Sequence, residues 1–552
     1  MSIENNIPQS PFQGENLLNY ADNANVGSDL LDFGRFRQIA ERFFPNEEAQ
    51  QCPAETFAEE LNLETIFDSF SKLTGISHAA PTTSVVDPFA FNFDLFSGGL
   101  PLGDEFKGLY FPDKQSNSGS ALDQEFAPST FSDYSWERDQ QITYGGRETF
   151  DVQAIRKDFP ILHQKVNGKD LIWFDNAATT QKPRQVIDTI TRFYERDNSN
   201  IHRAAHTLAA RSTDAYEGAR EKVKNFIGAS STEEIIFVRG TTEGINLVAQ
   251  TYGKKFIQPG DEIIVSTLDH HANIVPWQQL AKEKGAKLLA IPINNNGEVI
   301  LEDYEKLLGP RTKFVSIGQV NNTFGTISPV KTMIELAKRW GARVLIDGAQ
   351  SVAHTPVNVQ DLGADFFVFS GHKIYAPNGI GVVYGKKEVL DIIPPWQGGG
   401  NMIKDVTFEE TQFNEAPAKF EAGTPNVADA VGLGAALDYV SRVGIHNISK
   451  YEHELTEYAR ESLARINGLR LIGNPRERVS VVSFDLKGIP TTEVGKLLDR
   501  EGIALRAGHH CAQPALRRLG VEASVRPSFA FYNTKEEIDK LVIAVRKIQN
   551  QR

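Results

Sequence analysis

Polar and nucleophilic side chains recur directly after predicted strands in the central part of this 552-residue chain. Ligands of open α/β sheets bind beyond the carboxyl ends of the strands, so these side chains are expected to meet there. Each segment alone is typical of a helix cap or a helix start, but together they favour one shared ligand site. The segments are Gly240–Thr242, Asp269–Asn273, Gln319–Asn322, Asp347–Gln350 and Ser370–Lys373.

One part of this site is suited to an anion. Thr241 and Thr242 follow Gly240 at a predicted helix start, where free backbone N–H groups attract negative charge. Ser370 and His372 can add hydrogen-bond donors to the same group. This set of donors predicts a phosphate.

The other part is suited to a planar ring. Asp347, at the end of a buried strand, is placed to hold a protonated ring nitrogen, and Gln350 can reach a ring hydroxyl. His270 can stack on the ring, and Lys373 can form a Schiff base when it is neutral. Phosphate, pyridine, hydroxyl and lysine together predict pyridoxal 5′-phosphate (PLP) as the cofactor, and no metal site is predicted.

Cys511 is a further nucleophile. It follows His509 and His510 in a glycine-containing loop, with Arg506 nearby and Pro514 behind it. A cysteine is usually a small buried hydrophobe, but cationic neighbours favour the reactive thiolate. We therefore predict a reactive thiol, and either histidine can tune it.

The elements that position these residues alternate between strand and helix. Short apolar runs predict strands, and patterns typical of helices lie between them at 276–284 and 330–340. This alternation predicts an α/β fold with a mostly parallel sheet that is covered on both faces. The predicted strands are 235–238, 262–266, 287–291, 313–317, 344–346, 365–369 and 379–384.

Composition excludes several classes of protein. No run of 18 apolar residues exists, so no membrane span is expected. The first residues lack a basic start and an apolar core, which argues against a secretory signal. Two cysteines, Cys52 and Cys511, cannot form a disulfide framework and fit a reducing, cytoplasmic setting. The net charge of −13 argues against a nucleic-acid binder.

The negative charge is concentrated at the beginning of the chain. Residues 1–150 hold 24 acidic and 8 basic residues, a net charge of −16, and 17 of the 34 phenylalanines. We predict a largely disordered extension at 1–145, a large cofactor-binding domain at 146–430 and a small α+β domain at 431–552 that carries Cys511. The first 25 or so residues of the large domain can pack on the small one. The extension is either a solubilising tail or a set of docking motifs for a partner protein.

The segment from about 154 to 547 closely resembles class V aminotransferase-type PLP enzymes of fold type I. More narrowly, it resembles type II cysteine desulfurases of the Suf system. The stretches that carry the resemblance are Asp175–Thr180, Asn200–His206, Arg239–Gly244, His270–Trp277, Asp347–Gln350, Ser370–Lys373, Phe420–Asn426 and Arg506–Pro514.

This resemblance implies a homodimer that converts L-cysteine to L-alanine and leaves a persulfide on Cys511. Lys373 would form the Schiff base and move the proton, Asp347 would keep the ring nitrogen protonated, and His270 would assist proton transfer. Arg506 would support the Cys511 loop. The remaining implied contacts are Gln350 to the ring hydroxyl, Thr242, Ser370 and His372 to the phosphate, Thr424 from the second subunit, and Asn322 and Arg526 to the substrate carboxylate.

The extension resembles the cargo-loading segments of desulfurases packaged in encapsulin shells. That likeness implies an encapsulin nanocompartment as the location and sulfur storage as the fate of the sulfur. The alternatives are delivery to a sulfur-acceptor protein for iron–sulfur assembly, a selenocysteine lyase, and an interaction protein whose tail is its main functional part.

Overall fold

The computed structural model describes residues 150–202 and 205–550. The predicted extension at 1–145, its docking motifs and Cys52 lie outside the described residues. No helix in the described ranges combines the length and hydropathy that a membrane crossing requires.

Seven strands form one sheet in the order β4-β10-β9-β8-β7-β5-β6. All its strand pairs are parallel except those of β10, which runs antiparallel to both β4 and β9. The predicted strands of the sheet are confirmed to within two residues. In chain order the strands are β1 Lys165–Val166, β2 Lys169–Asp170, β3 Ile172–Trp173, β4 Ile235–Val238, β5 Glu262–Ser266, β6 Lys287–Ile291, β7 Thr312–Gly318, β8 Arg343–Asp347, β9 Phe366–Ser370, β10 Gly381–Gly385, β11 Ile403–Val406, β12 Thr411–Phe413, β13 Leu469–Leu471, β14 Phe484–Leu486, β15 Ile503–Ala504, β16 Arg506–Gly508 and β17 Ser524–Arg526.

Helices cover both faces of this large sheet. The inner strands are buried along most of their length, and two apolar clusters pack against the opposite faces. Continuous apolar strands of this kind are the pattern of a parallel sheet between two helical layers. The helices are α1 Val152–Lys157, α2 Arg184–Arg196, α3 Thr207–Ile227, α4 Thr241–Val248, α5 Lys254–Phe256, α6 Val275–Lys284, α7 Leu301–Leu307, α8 Val330–Arg339, α9 Val359–Leu362, α10 Lys387–Ile392, α11 Val427–Val443, α12 Ile445–Ala464, α13 Thr491–Asp499, α14 Gln513–Arg518 and α15 Lys535–Asn550.

A second, antiparallel sheet has the order β13-β14-β17-β16, and α12, α13 and α15 pack against it. Strand β3 pairs in parallel with β15, and Ile172 lies opposite Ile503. Strand β3 therefore precedes the strands of the large sheet in the chain but pairs with a strand from the region of the small sheet.

The division predicted at residue 430 falls inside a continuous helix. Helix α11 packs with α2 and α3, and its buried residues belong to the same apolar cluster as the large sheet. We therefore propose that the large unit extends to Val443.

Candidate active site

A cavity of about 200 Å³ opens at the carboxyl ends of the strands of the large sheet. It brings together side chains from five strand ends and from the 506–526 region of the small sheet. The residues predicted for the site that line this cavity are Thr241, Thr242, His270, Asn322, Asp347, Gln350, Ser370, His372, Lys373, Arg506, Cys511 and Arg526.

Helix α4 begins at one end of the cavity. Its N-cap residue, Gly240, has no side chain to cap the first turn, and the backbone N–H of Thr241 donates to Ser370 Oγ at 2.8 Å. The two hydroxyls of Thr241 and Ser370 also lie 2.8 Å apart. A helix start with hydroxyls beside it is suited to binding a phosphate.

Lys373 lies in a short 3₁₀ turn after β9, and Asp347 ends the neighbouring strand β8. Burial lowers the pKa of Lys373 to about 8, although the charge of Asp347 opposes the shift. Burial also raises the pKa of Asp347, against a hydrogen bond from the backbone N–H of Ala349 and the charge of Lys373. A lowered lysine pKa increases the neutral, nucleophilic fraction of the amine.

His270 and His372 are neutral imidazoles in this environment. Burial lowers the pKa of His270 to about 3 and that of His372 to about 4, and the charge of Lys373 adds to both shifts. The Nδ1 atom of His270 accepts from the backbone N–H of Ala272 at 3.1 Å. This hydrogen bond leaves the proton of the neutral ring on Nε2.

Arg526 is the buried cation of the cavity, with 1% of its side chain exposed. It donates to Asp175 Oδ1 and to the carbonyl of Asn322, each at 3.0 Å. The second oxygen of Asp175 pairs with Arg506 at 3.2 Å, so one carboxylate holds two guanidinium groups. Burial lowers the pKa of Arg526 to about 10, and Asp175 opposes this shift.

The loop of Cys511 has a strained backbone. His510 and Cys511 have φ angles of 53° and 54°, in the left-handed region that residues other than glycine rarely adopt. Contacts from both sheets hold it: His271 N–H donates to the Cys511 carbonyl, and Asn322 Nδ2 to the His510 carbonyl, each at 2.9 Å. The Nε2 of His510 lies 2.9 Å from Ser524 Oγ. The thiol is therefore kept at the cavity.

Thr424 does not line this cavity in its own chain. It lines a separate, open cleft with Arg239 and Trp396. Its segment is anchored by Glu421, which accepts two hydrogen bonds from the buried Arg220 at 2.7 and 2.9 Å. The expected role of Thr424 in a second subunit stays a prediction.

Sequence reasoning gave no role to two carboxylates of the cavity region. Asp269 is buried and accepts from the backbone N–H groups of Ser266 and Gly318, each at 2.6 Å, and burial raises its pKa to about 7. Asp269 lies three residues after the end of β5, at the sheet edge where Asp347 ends β8, and that position was the available signal. Asp175 lies far in the chain from the two arginines it pairs with, and no local pattern indicates those pairs.

The cavity fits PLP. Four buried polar atoms of its lining residues have no protein partner: Gln350 Oε1, Asn322 Oδ1, His510 Nδ1 and Arg526 Nε. Buried polar atoms are generally satisfied, so such atoms indicate a polar ligand. The start of α4 would hold the phosphate, Asp347 the ring nitrogen, Gln350 the ring hydroxyl and Lys373 the aldehyde carbon.

Comparisons with known proteins agree with this chemistry. The model of the aminotransferase class-V family matches residues 172–541. The chain is 60% identical over 404 residues to a cysteine desulfurase of Synechococcus elongatus, which covers 73% of this chain and 64% of that protein. It is 50% identical over 401 residues to a cysteine desulfurase of Pectobacterium atrosepticum, covering 72% of this chain and 98% of that protein.

The solved structures agree as well. The crystal structure of the cysteine desulfurase CsdA from Escherichia coli matches with a TM-score of 0.69 and 41% identity, over 73% of this chain and 100% of that one. The chain spans 58 to 66% of the lengths of three curated relatives that are 60 to 63% identical to it. Since the family model covers most of the chain and a solved cysteine desulfurase shares its fold, this protein belongs to the class V aminotransferase family of PLP-dependent enzymes.

Proposed function

We propose that the protein is a cysteine desulfurase that converts L-cysteine to L-alanine and keeps the sulfur as a persulfide on Cys511. The observation that carries this proposal is that Lys373, Cys511 and Arg526 line one cavity. The names of the relatives at 50 to 63% identity support the same activity.

Arg526 and Asn322 would bind the substrate carboxylate. A guanidinium matches the geometry of a carboxylate, and Arg526 Nε is not used by other groups of the protein. Asn322 would donate to the carboxylate from Nδ2, which also donates to the His510 carbonyl at 2.9 Å. Asp175 fixes the guanidinium by accepting a hydrogen bond from Nη2 of Arg526. Substrate cysteine would therefore be oriented before any bond is broken.

Bound PLP would supply an electron sink for the carbon atoms of the substrate. Lys373 Nζ, buried and with a lowered pKa, would move the proton between these carbon atoms. The thiolate of Cys511 would bond to the substrate sulfur while the substrate Cβ–S bond breaks and Cβ takes a proton. Alanine leaves, and the sulfur stays on Cys511 without any added oxidant or reductant.

The variant Cys511→Ser tests this proposal, and Cys52→Ser is the matched control. We expect Cys511→Ser to lose cysteine desulfuration by at least 100-fold while the visible absorption of bound PLP is unchanged, and Cys52→Ser to behave as wild type. Full cysteine turnover by Cys511→Ser would refute the proposal. Comparing cysteine and selenocysteine turnover in Cys511→Ser separates the alternative, since a selenocysteine lyase would keep selenocysteine turnover without the thiol and would turn over cysteine only weakly in wild type.

The type II (Suf-like) assignment, the homodimer and the cytoplasmic location are parts of the same proposal. An open cleft beside Thr424 and the half-exposed Trp396 support a subunit contact on that face. Light scattering of the purified protein tests the dimer, and a monomeric mass would contradict it.

The N-terminal extension would bind a partner, either an encapsulin shell protein or a sulfur acceptor. Its net charge of −16 and its 17 phenylalanines support docking. Deleting residues 1–140 should leave cysteine turnover unchanged and abolish co-purification with the partner. Unchanged co-purification would contradict docking and leave a solubilising tail.

A further inference from the structure

The loop Asp175–Thr180 lies between β3 and α2 and contacts residues from both parts of the cavity. At its beginning, Asp175 accepts a hydrogen bond from Arg526 at 3.0 Å. At its end, Thr180 contacts the 3₁₀ turn that carries Lys373. One short loop therefore connects the arginine proposed to bind the substrate carboxylate with the lysine proposed to bond the cofactor.

Thr180 is 1% exposed and makes three hydrogen bonds to the turn. Its backbone N–H donates to the His372 carbonyl at 3.0 Å, and its hydroxyl donates to the same oxygen at 3.2 Å. The hydroxyl also accepts from the backbone N–H of Tyr375 at 2.8 Å. The His372 carbonyl belongs to the peptide bond that joins His372 to Lys373, so Thr180 contacts the main chain on both sides of Lys373.

Tyr375 has a strained backbone conformation, with a φ angle of 66°. A bulky residue in the left-handed region costs free energy and persists only where its surroundings fix it. The side chain of Tyr375 is fully buried and packs on Phe531, with the ring centroids 4.5 Å apart. Ring packing thus fixes the side chain, and Thr180 Oγ1 fixes the N–H. The two contacts keep the end of the turn in its strained form.

We propose that Thr180 is a positioning residue that fixes where the amine of Lys373 meets the aldehyde of bound PLP. The inference rests on the proposed role of Lys373. Thr180 does not line the cavity, so it acts through the main chain of the turn. A hydroxyl can donate to one partner and accept from another, whereas a valine side chain of the same shape can do neither.

The loss of this hydroxyl should affect the two ends of the turn differently. The His372 carbonyl would keep the backbone N–H of Thr180 and the hydroxyl of Thr179, which donates at 3.1 Å. The N–H of Tyr375 would lose its acceptor, Thr180 Oγ1, and the left-handed backbone could relax. We therefore expect the phosphate-binding end of the turn to stay in place while the amine of Lys373 moves.

The experiment measures the dissociation constants of PLP and of pyridoxamine 5′-phosphate with cofactor-free protein. The second compound has an amine in place of the aldehyde, so it shares the ring and phosphate groups of PLP but cannot bond to Lys373. Since one hydrogen bond corresponds to about fivefold in an equilibrium constant, we expect Thr180→Val to weaken PLP binding by about fivefold. Binding of pyridoxamine 5′-phosphate should be unchanged.

Two variants serve as controls. Thr180→Ser keeps the hydroxyl and should bind both compounds as wild type does. Thr456→Val is the matched control, because Thr456 is also fully buried and its hydroxyl donates to the Glu452 carbonyl at 2.7 Å, away from the cavity. It should leave both dissociation constants unchanged. Thermal unfolding checks that each variant folds, and Thr180→Ala serves if Thr180→Val does not.

The variant Lys373→Ala tests whether Thr180 acts through the lysine. In this background Thr180→Val should no longer weaken PLP binding, since the amine that it displaces is absent. In steady-state turnover of cysteine by the holoenzyme, Thr180→Val should lower kcat more than it changes KM. An effect on PLP binding that persists without Lys373 would overturn the positioning role.

Equal weakening of both compounds by Thr180→Val, unchanged PLP binding, or weakened PLP binding in Thr180→Ser would also overturn it. Failure of the proposed function shows in the wild type instead. Wild-type protein that binds PLP but forms no alanine from cysteine would overturn the function, and the binding comparison would still decide the role of Thr180. Wild-type protein that binds PLP no more tightly than pyridoxamine 5′-phosphate would overturn both.

Discussion

The carboxylate of Asp175 controls how the guanidinium of Arg526 is presented to a substrate. Asp175 is 15% exposed and Arg526 is 1% exposed. Water therefore has little access to the guanidinium and could not readily replace the carboxylate as its partner. The variant Asp175→Asn keeps the shape and one acceptor oxygen but removes the charge. The arginine is then left as a buried cation without its counter-charge, and its acceptors are the carbonyl of Asn322 and the new amide oxygen.

Removing one partner of a buried ion pair costs about 3–5 kcal/mol. The new amide still accepts a hydrogen bond and the site is partly exposed, so we expect the lower end, about 3 kcal/mol of unfolding free energy. A less well-oriented guanidinium also binds a carboxylate more weakly. We expect the KM for cysteine to rise by about tenfold with a smaller change in kcat.

Urea unfolding and steady-state kinetics measure the two effects. Asp485→Asn is the control, because Asp485 pairs with Arg470 at 2.5 Å and that arginine is 57% exposed. Exposed pairs contribute about 0–1 kcal/mol, so this variant should stay near wild type. Equal loss of stability in the two variants would refute the argument that burial makes the Asp175 pair costly to break.

Two further predictions concern packing and pH. In Gly348→Ala the new Cβ would lie 2.0 Å from the ring of Phe367, whereas at Gly398 no atom lies within 4 Å. We expect Gly348→Ala to lose about 3 kcal/mol or more and Gly398→Ala to lose almost nothing in thermal unfolding. The pKa of His270 falls from 6.5 to about 3 on folding, so the folded state binds fewer protons and stability falls as the pH drops below 6.5. From pH 7 to pH 5 this costs about 2 kcal/mol, and His270→Asn should lose that much less in urea unfolding of the cofactor-free protein.

The convergence of Asp347, Lys373 and Thr241 could be predicted from the sequence, because their positions follow from strand ends in a parallel sheet. Strands 262–266 and 287–291 were predicted with their observed bounds. The apolar runs of these buried strands are bounded by turn residues, and this pattern allows such strands to be predicted from a single sequence.

Contacts between distant segments could not be predicted in the same way. Thr180 and Tyr375 are 195 positions apart, and nothing local to either residue indicates its partner. The extent that we propose for the large unit was also not indicated by the sequence, because α11 is buried on most of its surface. When a helix is apolar on nearly all sides, its sequence does not indicate which sheet it packs against.

The left-handed backbone at positions 510 and 511 limits how the proposed nucleophile, Cys511, can be probed by mutagenesis. A β-branched side chain such as valine or threonine clashes with the main chain in this region, so its effects would report loop distortion instead of lost sulfur chemistry. Glycine has the opposite problem, since it would relax the loop while deleting the thiol. Serine, closest to cysteine in size and branching, changes the chemistry with the least change in conformational preference.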